Sequence, residues 1–396
     1  MKIFVVQESN WIARGPHQSH HLLERLVQRG HETRVIDFDI LWRKKEERKI
    51  ILTRTVRTAP PKAIPGAEIT VIRPSIIQAP VLEYVSLLYT HGKEIIRQLD
   101  EFKPDVVLGF GILNTRMAIF LCHRRGIPFV SYCIDELHRL VPQWPFRRLA
   151  RAVEGSNYAS ADLVLSINEG LRDYTIGMGA PREKTQVIRA GVDLAWFSAA
   201  DREKKRQELG LGDGDLVLFF MGWLYDFSGL KEVIDGLMER RDMPNLKLLV
   251  VGNGDLWEYI QEIKAIDGMD ERVIAVGWQP YETIPEFIAA ADICLLPARK
   301  NGIMKNIVPI KMYEYMAAGK PVIATSLSGL KKEFGAGNGV VYIDSPGEAV
   351  TMAIELAENG TCEGYGRRSR LFVEPNDWET ITDCFEESLE LIIRAN

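Results

Sequence analysis

The sequence predicts two α/β domains, each built on a doubly wound parallel sheet, and three observations lead there. Short β-branched apolar runs alternate with segments whose apolar residues recur at helical spacing. That rhythm runs from Ile3 to Ser166, lapses over the charged stretch Asp201 to Gly214, and restarts at Leu216. At 396 residues the chain is also longer than one core ordinarily organises.

Taken in order, the first strand is Ile3 to Val6, and Ser9 to Gly15 is a loop. Pro16 suits the first position of a helix, where its missing N–H costs nothing. Leu22, Leu23, Leu26 and Val27 give that helix an apolar face, and Gly30 stops it. Thr33 to Phe38 is the second strand. The alternation continues with Val106 to Gly109, a helix around Met117 to Arg125, the strand Phe129 to Cys133 and a further helix leading to Leu163 to Ser166. The second series of strands is Leu216 to Met221, Leu246 to Val251, Val273 to Val276, Ile293 to Leu296, Val322 to Thr325 and Val340 to Ile343. Trp378 to Ile393 reads as an amphipathic helix. A boundary near 194–206 divides the chain into 1–200 and 201–377, with the helix 378–396 expected to pack back on the first domain.

The N-terminus turns polar at Gln7 and Glu8, too early for a signal peptide. The longest apolar run, Val106 to Cys122, is interrupted by Gly109, Gly111, Asn114 and Arg116, so it reads as strand, loop and helix rather than a membrane span. Five scattered cysteines without CxxC spacing point to buried free thiols in a reducing cytoplasm. Net charge is −5, but residues 1–200 carry 28 Lys/Arg against 21 Asp/Glu, and the remainder 21 against 33. The basic excess gathers in Arg43, Lys44, Lys45, Arg48, Lys49, Arg54 and Arg57. It is either a solvated face or a surface for anionic lipid headgroups or a phosphorylated acceptor. Nucleic acid is not expected, since no aromatic interleaving or nucleic-acid motif accompanies these charges.

In open α/β sheets ligands bind beyond the carboxyl ends of the strands. Glycines gather there: Gly15, Gly111, Gly222, Gly252, Gly254 and Gly277. Gly252-Asn253-Gly254 lacks the third glycine of a dinucleotide fingerprint. The stretch Asn306 to Thr325 says more. Pro309 reads as a helix N1 residue, Met312, Tyr313 and Met316 as the inner face, and Ala317-Ala318-Gly319 as the close before the strand from Val322. The amides of Ile310 and Lys311 then lie at a helix N-terminus, a ready phosphate site to which Lys311 adds a charge. Glu314, four residues after Ile310, points the same way. Its carboxylate suits vicinal hydroxyls such as those of a ribose, or it is simply a favourable charge in the first helical turn. His17, His20 and His21 share the first helix without an acidic neighbour, a poor basis for a metal site.

The run Pro309 to Ala324 closely resembles the C-terminal-domain signature of glycosyltransferase family 4, also described as glycosyl transferases group 1. Further matches run along the chain: Arg29-Gly30-His31-Glu32, Gly191-Val192-Asp193 with Phe197, Val250 to Gly254, Ala291-Asp292-Ile293 with Pro297, and Trp378. The resemblance implies the GT-B fold, with two Rossmann-like domains facing across a cleft, the first on the acceptor side and the second binding the donor. It implies retaining, metal-independent transfer of a hexosyl group from a UDP- or GDP-sugar to a hydroxyl of a glycan, a lipid-linked acceptor or a small molecule, as in polysaccharide biosynthesis. No cofactor beyond that donor is implied. The location would be cytoplasmic, with membrane association from that side.

By the same resemblance Glu314 meets the donor ribose and the Ile310 and Lys311 amides its phosphates. Gly15 approaches the phosphates from the other domain, and Val276-Gly277-Trp278 holds the base with Asn253 and Gly254 nearby. Gly222 lines the donor site. Three departures accompany the match. Asn306 stands where the family's Glu-x7-Glu motif needs a glutamate, and the usual Arg and Lys that meet the diphosphate fall on Trp223 and Ser228. Losing two cations requires replacements, since each charge-assisted bond is worth roughly 1.5–3 kcal/mol; Lys311, Lys305 and Lys300 are the candidates. The histidine often found after the strand ending at Cys133 is replaced by Ile134-Asp135-Glu136. Asp135 is the side chain expected to orient sugar or acceptor, or it is a strand-end cap or a salt-bridge partner. A GT-B-like epimerase or phosphorylase, and a nucleotide-sugar binder without turnover, are the alternative functions.

Overall fold

The structure is a computed structural model that describes residues 1–13, 16–38, 50–79, 82–141, 144–301, 304–306 and 308–395. The chain forms two compact units, Met1–Ala190 with Trp378–Asn396, and Gly191–Asp377. The division falls about ten residues before the break in strand rhythm at 200. Gly191 to Ser198 joins the second unit because Val192 pairs with Asp377 and Phe197 is buried there against Tyr281.

In the first unit the strands are β1 (Lys2–Gln7), β2 (Glu32–Ile36), β3 (Ile51–Leu52), β4 (Thr55–Ala59), β5 (Ile69–Arg73), β6 (Ile76–Ile77), β7 (Val106–Phe110), β8 (Phe129–Cys133), β9 (Leu163–Ser166) and β10 (Thr185–Val187). Its helices are α1 (Gln18–Gln28), α2 (Leu82–Glu101), α3 (Leu113–His123), α4 (Trp144–Ser160) and α5 (Glu169–Gly177). The sheet order is β10-β9-β8-β7-β1-β2-β5-β4, parallel except for the β4–β5 edge pair. β1 is buried on both faces, as a central parallel strand must be. Ile3 and Val5 pack toward α1, while Phe4 and Val6 pack toward α2 and α3. A final helix completes the first face: in Trp378–Ala395, Trp378, Ile381, Phe385 and Leu389 are buried with Leu22, Leu23 and Leu26 of α1. Arg29 pairs with Glu379, Asp383 and Glu386 at its rim.

α1 starts at Gln18 rather than at Pro16. His17 stays extended as its N-cap and donates its N–H to His20 Nδ1 at 3.2 Å. His20 Nε2 bonds the Trp11 carbonyl, and burial pushes its pKa down to about 4. His21 lies 4.1 Å from Trp378, ring on ring. The histidines therefore serve the packing of α1.

The second unit has β11 (Leu216–Met221), β12 (Leu246–Val251), β13 (Val273–Ala275), β14 (Ile293–Leu296), β15 (Val322–Thr325) and β16 (Val340–Ile343). They form one wholly parallel sheet in the order β13-β12-β11-β14-β15-β16. Its helices begin with α6 (Leu194–Ser198) and α7 (Arg202–Glu208), capped by Asp193 and Asp201 side chains. α8 (Leu230–Glu239), α9 (Trp257–Lys264), α10 (Ile284–Ala290), α11 (Ile310–Ala317), α12 (Ser328–Phe334), α13 (Ala349–Glu358) and α14 (Cys362–Val373) complete the two helical layers. The order reverses between β11 and β14, so the crevice that ligands use in such sheets opens where α11 and the β11 loop meet. Among the described residues no helix is long and apolar enough to cross a membrane.

Candidate functional site

Three strand-end loops of the second unit are laced together by their own backbones. Gly222 N–H donates to Val251 O at 2.9 Å, Gly252 N–H to Gly277 O at 2.8 Å, and Leu224 N–H to Asn253 O at 3.0 Å. This lacing is why position 252 must be glycine: its φ is +140°, and a Cβ there would lie 1.9 Å from Gly222 O. Asn253 turns its Oδ1 to the Gly254 N–H at 2.7 Å. Trp223 and Trp278 stand exposed on the β11 and β13 loops, so both present indole faces to solvent.

α11 docks on this shelf through two side chains one turn apart. Tyr315 Oη accepts from Met221 N–H at 3.1 Å, and Lys311 Nζ donates to Met221 O at 2.8 Å. Both backbone groups at the end of β11 are thereby satisfied from α11. The Lys311 ammonium also lies 4.8 Å from the Phe220 ring centroid. Burial lowers its pKa to about 8, opposed by the charge of Glu314. The ammonium form still dominates at neutral pH, and two of its three hydrogens remain for a ligand. Glu314 is buried, and its Oε1 accepts the Tyr281 hydroxyl at 2.7 Å. Burial pushes the carboxyl up to about 7, restrained by the Tyr281 hydrogen bond and the Lys311 charge. Tyr281 is held in turn by edge contacts with Trp196 and Phe197 of α6.

Pro309 is the N-cap of α11, with ψ of 138°, and Ile310 is the first helical residue. The offset follows from Pro309 keeping the extended ψ that its own carbonyl needs to accept Met312 N–H at 3.1 Å. The Ile310 and Lys311 amides thus open the helix, and among the described residues no carboxylate accepts from them. The first unit offers a contrast. At the N-terminus of α3, Glu8 Oε1 already accepts from Ile112 N–H at 3.1 Å and Asn114 N–H at 2.7 Å. That helix end carries its own anion, and burial raises the Glu8 pKa.

Gly222, Gly252, Asn253, Gly277, Lys311 and Glu314 are therefore linked through one set of backbone and side-chain contacts. Ser228 is elsewhere in role: it is buried in a 3₁₀ turn, where its hydroxyl lies 3.4 Å from Leu230 N. Lys300 is not a free replacement cation, because it pairs with Asp344 at 3.0 Å. Lys305 is exposed in the 3₁₀ turn Met304–Asn306, and the Asn306 side chain lies outside the described residues. Gly15 and the basic residues Arg43, Lys44, Lys45, Arg48 and Lys49 also lie outside them. Of the rest of that stretch, Arg54 holds Glu94 with two bonds of 2.7 and 2.8 Å, while Arg57 is exposed on β4. In the first unit, Asp135 follows β8 and takes the Glu136 N–H on Oδ1 at 2.8 Å. Partial burial and the Glu136 and Glu154 charges raise its pKa.

Sequence reasoning missed Tyr281 and Tyr315. Tyr315 lies outside the inner face Met312, Tyr313 and Met316 read for α11, and nothing local shows the partner of its hydroxyl, while Tyr281 lies 33 positions from the carboxylate it serves.

Residues 18–196 match the model of Glycosyltransferase Family 4, and residues 215–359 match that of Glycosyl transferases group 1. A putative teichuronic acid biosynthesis glycosyltransferase of Bacillus subtilis, TuaH, is 27% identical over 247 residues, 59% of this chain and 58% of that protein. A GDP-mannose-dependent phosphatidylinositol monomannoside mannosyltransferase of Mycolicibacterium smegmatis is 27% identical over 217 residues, 53% of this chain and 56% of that protein. The chain spans about half the length of the curated relatives it matches. Among solved structures, Anabaena HepE in complex with UDP superposes with a TM-score of 0.73 at 18% identity, covering 99% of this chain and 100% of that one. That likeness shows the GT-B fold.

Proposed function

The chain belongs to the family 4, group 1 glycosyltransferases, and from that premise we propose that it moves a sugar from a nucleotide-sugar donor to a hydroxyl acceptor. The second unit binds the donor and the first presents the acceptor. The transfer is of a hexosyl group, with retention and without a metal. What carries the reading is α11, where two opening amides, the Lys311 ammonium and the Glu314 carboxylate follow one another within five residues. Amides and ammonium suit a diphosphate. A carboxylate with one oxygen on Tyr281 keeps the lone pairs that two ribose hydroxyls require.

In the proposed reaction the bond between the anomeric carbon and the donor phosphate breaks, and a bond to the acceptor oxygen forms on the same face. The acceptor proton passes to the leaving phosphate, whose growing charge the Ile310 and Lys311 amides and Lys311 Nζ stabilise. Asp135 orients sugar or acceptor. Trp278 and the Gly277 loop hold the base, with Asn253 and Gly254 beside it. The donor base is uracil or guanine: HepE has been solved with UDP and with UDP-glucose, and the mycobacterial relative is described as GDP-mannose-dependent. Attachment to anionic membrane through Arg43 to Arg57 on the cytoplasmic side belongs to the same proposal, with Arg57 and the Glu94-paired Arg54 as its described cations.

Substituting Glu314→Ala tests the assignment. A rise in donor KM with loss of turnover supports it, and unchanged donor KM and kcat would remove Glu314 from the site. Nucleotide released only when acceptor is present separates transfer from epimerisation. One observation favours a second reading, a nucleotide-sugar binder without turnover. Trp223 and Ser228 carry no charge, and Lys300 is committed to Asp344. Donor binding without hydrolysis or transfer on any acceptor would establish it.

A further inference from the structure

The start of α4 has no part in the donor site. Its residues 144–149, 151 and 152 are all exposed, and side chains become buried only from Glu154. These first two turns carry apolar side chains all the same. Trp144 is 73% exposed, Phe146 52% and Leu149 63%, and Leu140 just upstream is 62%. An apolar stripe on one side of a helix suits a groove in a protein. Here Phe146 and Leu149, three positions apart, share one face, while Trp144 falls on the opposite side of the axis, so no single flat partner covers all three. A fluid apolar medium that closes around the helix end does.

Charge identifies which medium. From Leu137 to Val153 the chain has four arginines, Arg139, Arg147, Arg148 and Arg151, and no Asp or Glu. Arg139 pairs with Glu136, but among the described residues no carboxylate pairs with Arg147, Arg148 or Arg151. Arg147 instead bonds the Val141 carbonyl. Bulky apolar tips ringed by arginines match the boundary between acyl chains and anionic headgroups, and tryptophan is the residue most at home there.

We propose that the amino-terminal half of α4 inserts into an anionic membrane surface, with Trp144, Phe146 and Leu149 entering the acyl boundary and Arg147, Arg148 and Arg151 meeting the headgroups. This segment is separate in sequence from the Arg43 to Arg57 stretch, and the proposal stands whether or not the donor assignments do.

The test uses the full chain and sedimenting vesicles of phosphatidylcholine, alone or with about a third phosphatidylglycerol. Wild type should partition onto the anionic vesicles and only weakly onto the neutral ones. Replacing Arg147, Arg148 and Arg151 together by Gln should weaken binding at least tenfold, since each arginine near such a surface contributes about fivefold. The Trp144→Ala, Phe146→Ser, Leu149→Ser combination should abolish the binding that survives about 0.5 M salt, where headgroup charges are screened within about 3–5 Å. Brominated acyl chains should quench a component of the emission that Trp144→Phe removes. Because the replaced side chains are exposed, unchanged melting temperature and unchanged donor binding verify folding. The proposal is overturned if both combinations bind as wild type does while Arg54→Gln with Arg57→Gln does not. It is overturned equally if sedimentation velocity without lipid shows a dimer that the apolar combination dissociates, which would make a second copy the occupant.

Discussion

Glu314 makes donor affinity depend on pH in a direction the structure fixes. Its carboxyl is raised to about 7 by burial, and only the ionised form can accept two hydroxyl hydrogen bonds. Going from about pH 8 to about pH 6 takes the ionised fraction from roughly ten in eleven to roughly one in eleven, so donor Kd should rise about tenfold. Lys311, whose own pKa is lowered to about 8, is half discharged at pH 8, which trims the net rise in Kd between pH 8 and pH 6 to about fivefold and makes affinity fall again above pH 8. The profile is therefore bell-shaped with its crest between the two values. Calorimetric titration with the intact nucleotide sugar is the assay to use, since its diphosphate bears no group that titrates in this range.

In Tyr281→Phe the hydrogen bond that holds the Glu314 pKa down is lost, and the acid limb should move to higher pH. In Glu314→Gln the acid limb should vanish while affinity drops. The unliganded protein should respond oppositely. A carboxyl raised from 4.5 to about 7 contributes stability below pH 4.5 that is lost as pH rises through 7, so Glu314→Gln should melt higher than wild type at pH 8 and alike below pH 4.5. A wild-type donor affinity that is flat from pH 6 to pH 8, or an acid limb that persists in Glu314→Gln, would refute the reasoning.

Three further outcomes are expected. Tyr315→Phe strips the Met221 N–H of its acceptor in a buried place, which should cost about 1–3 kcal/mol in thermal or urea unfolding and weaken donor binding with it. Gly252→Ala meets both a φ of +140° and a contact of 1.9 Å with Gly222 O, so it should unfold the second unit or lower its stability by more than about 3 kcal/mol, read by calorimetry. Prolonged chelator treatment should leave the transfer rate unchanged; a rate lost to chelator and restored by a divalent cation would overturn the metal-independent proposal.

Nearly all the parallel strands could be read in advance because buried strands such as Leu216–Met221 are continuous apolar runs, and Leu246–Val251 is one but for Lys247, each bounded by glycine or polar residues. The edge strand β4 was illegible for the complementary reason: Thr55–Ala59 is mostly exposed, holds Arg57, and resembles a loop until its antiparallel partner is known. Helix starts were displaced by one or two residues at Pro16 and Pro309, since proline fixes its own φ but leaves ψ to its surroundings. At the site, Lys311 and Glu314 were found from their places on one helix. What they touch came from three dimensions: Met221 lies 90 positions from Lys311, and no local spacing connects them. Lys300 illustrates the opposite error, a cation chosen for its charge whose partner Asp344 lies 44 positions on.

The return of the helix Trp378–Ala395 to the first unit has a consequence for biosynthesis. The sheet that begins at Lys2 cannot cover its α1 face until that helix has emerged from the ribosome, after the whole of Gly191–Asp377. At about 5–20 residues per second the interval is roughly ten to forty seconds. During that time Leu22, Leu23 and Leu26 lack the cover of Phe385 and Leu389, whereas the second unit is continuous in the chain and free to fold as it emerges. The unit made first is finished last, and a nascent chain halted short of Trp378 presents chaperones with one complete unit and one open apolar face.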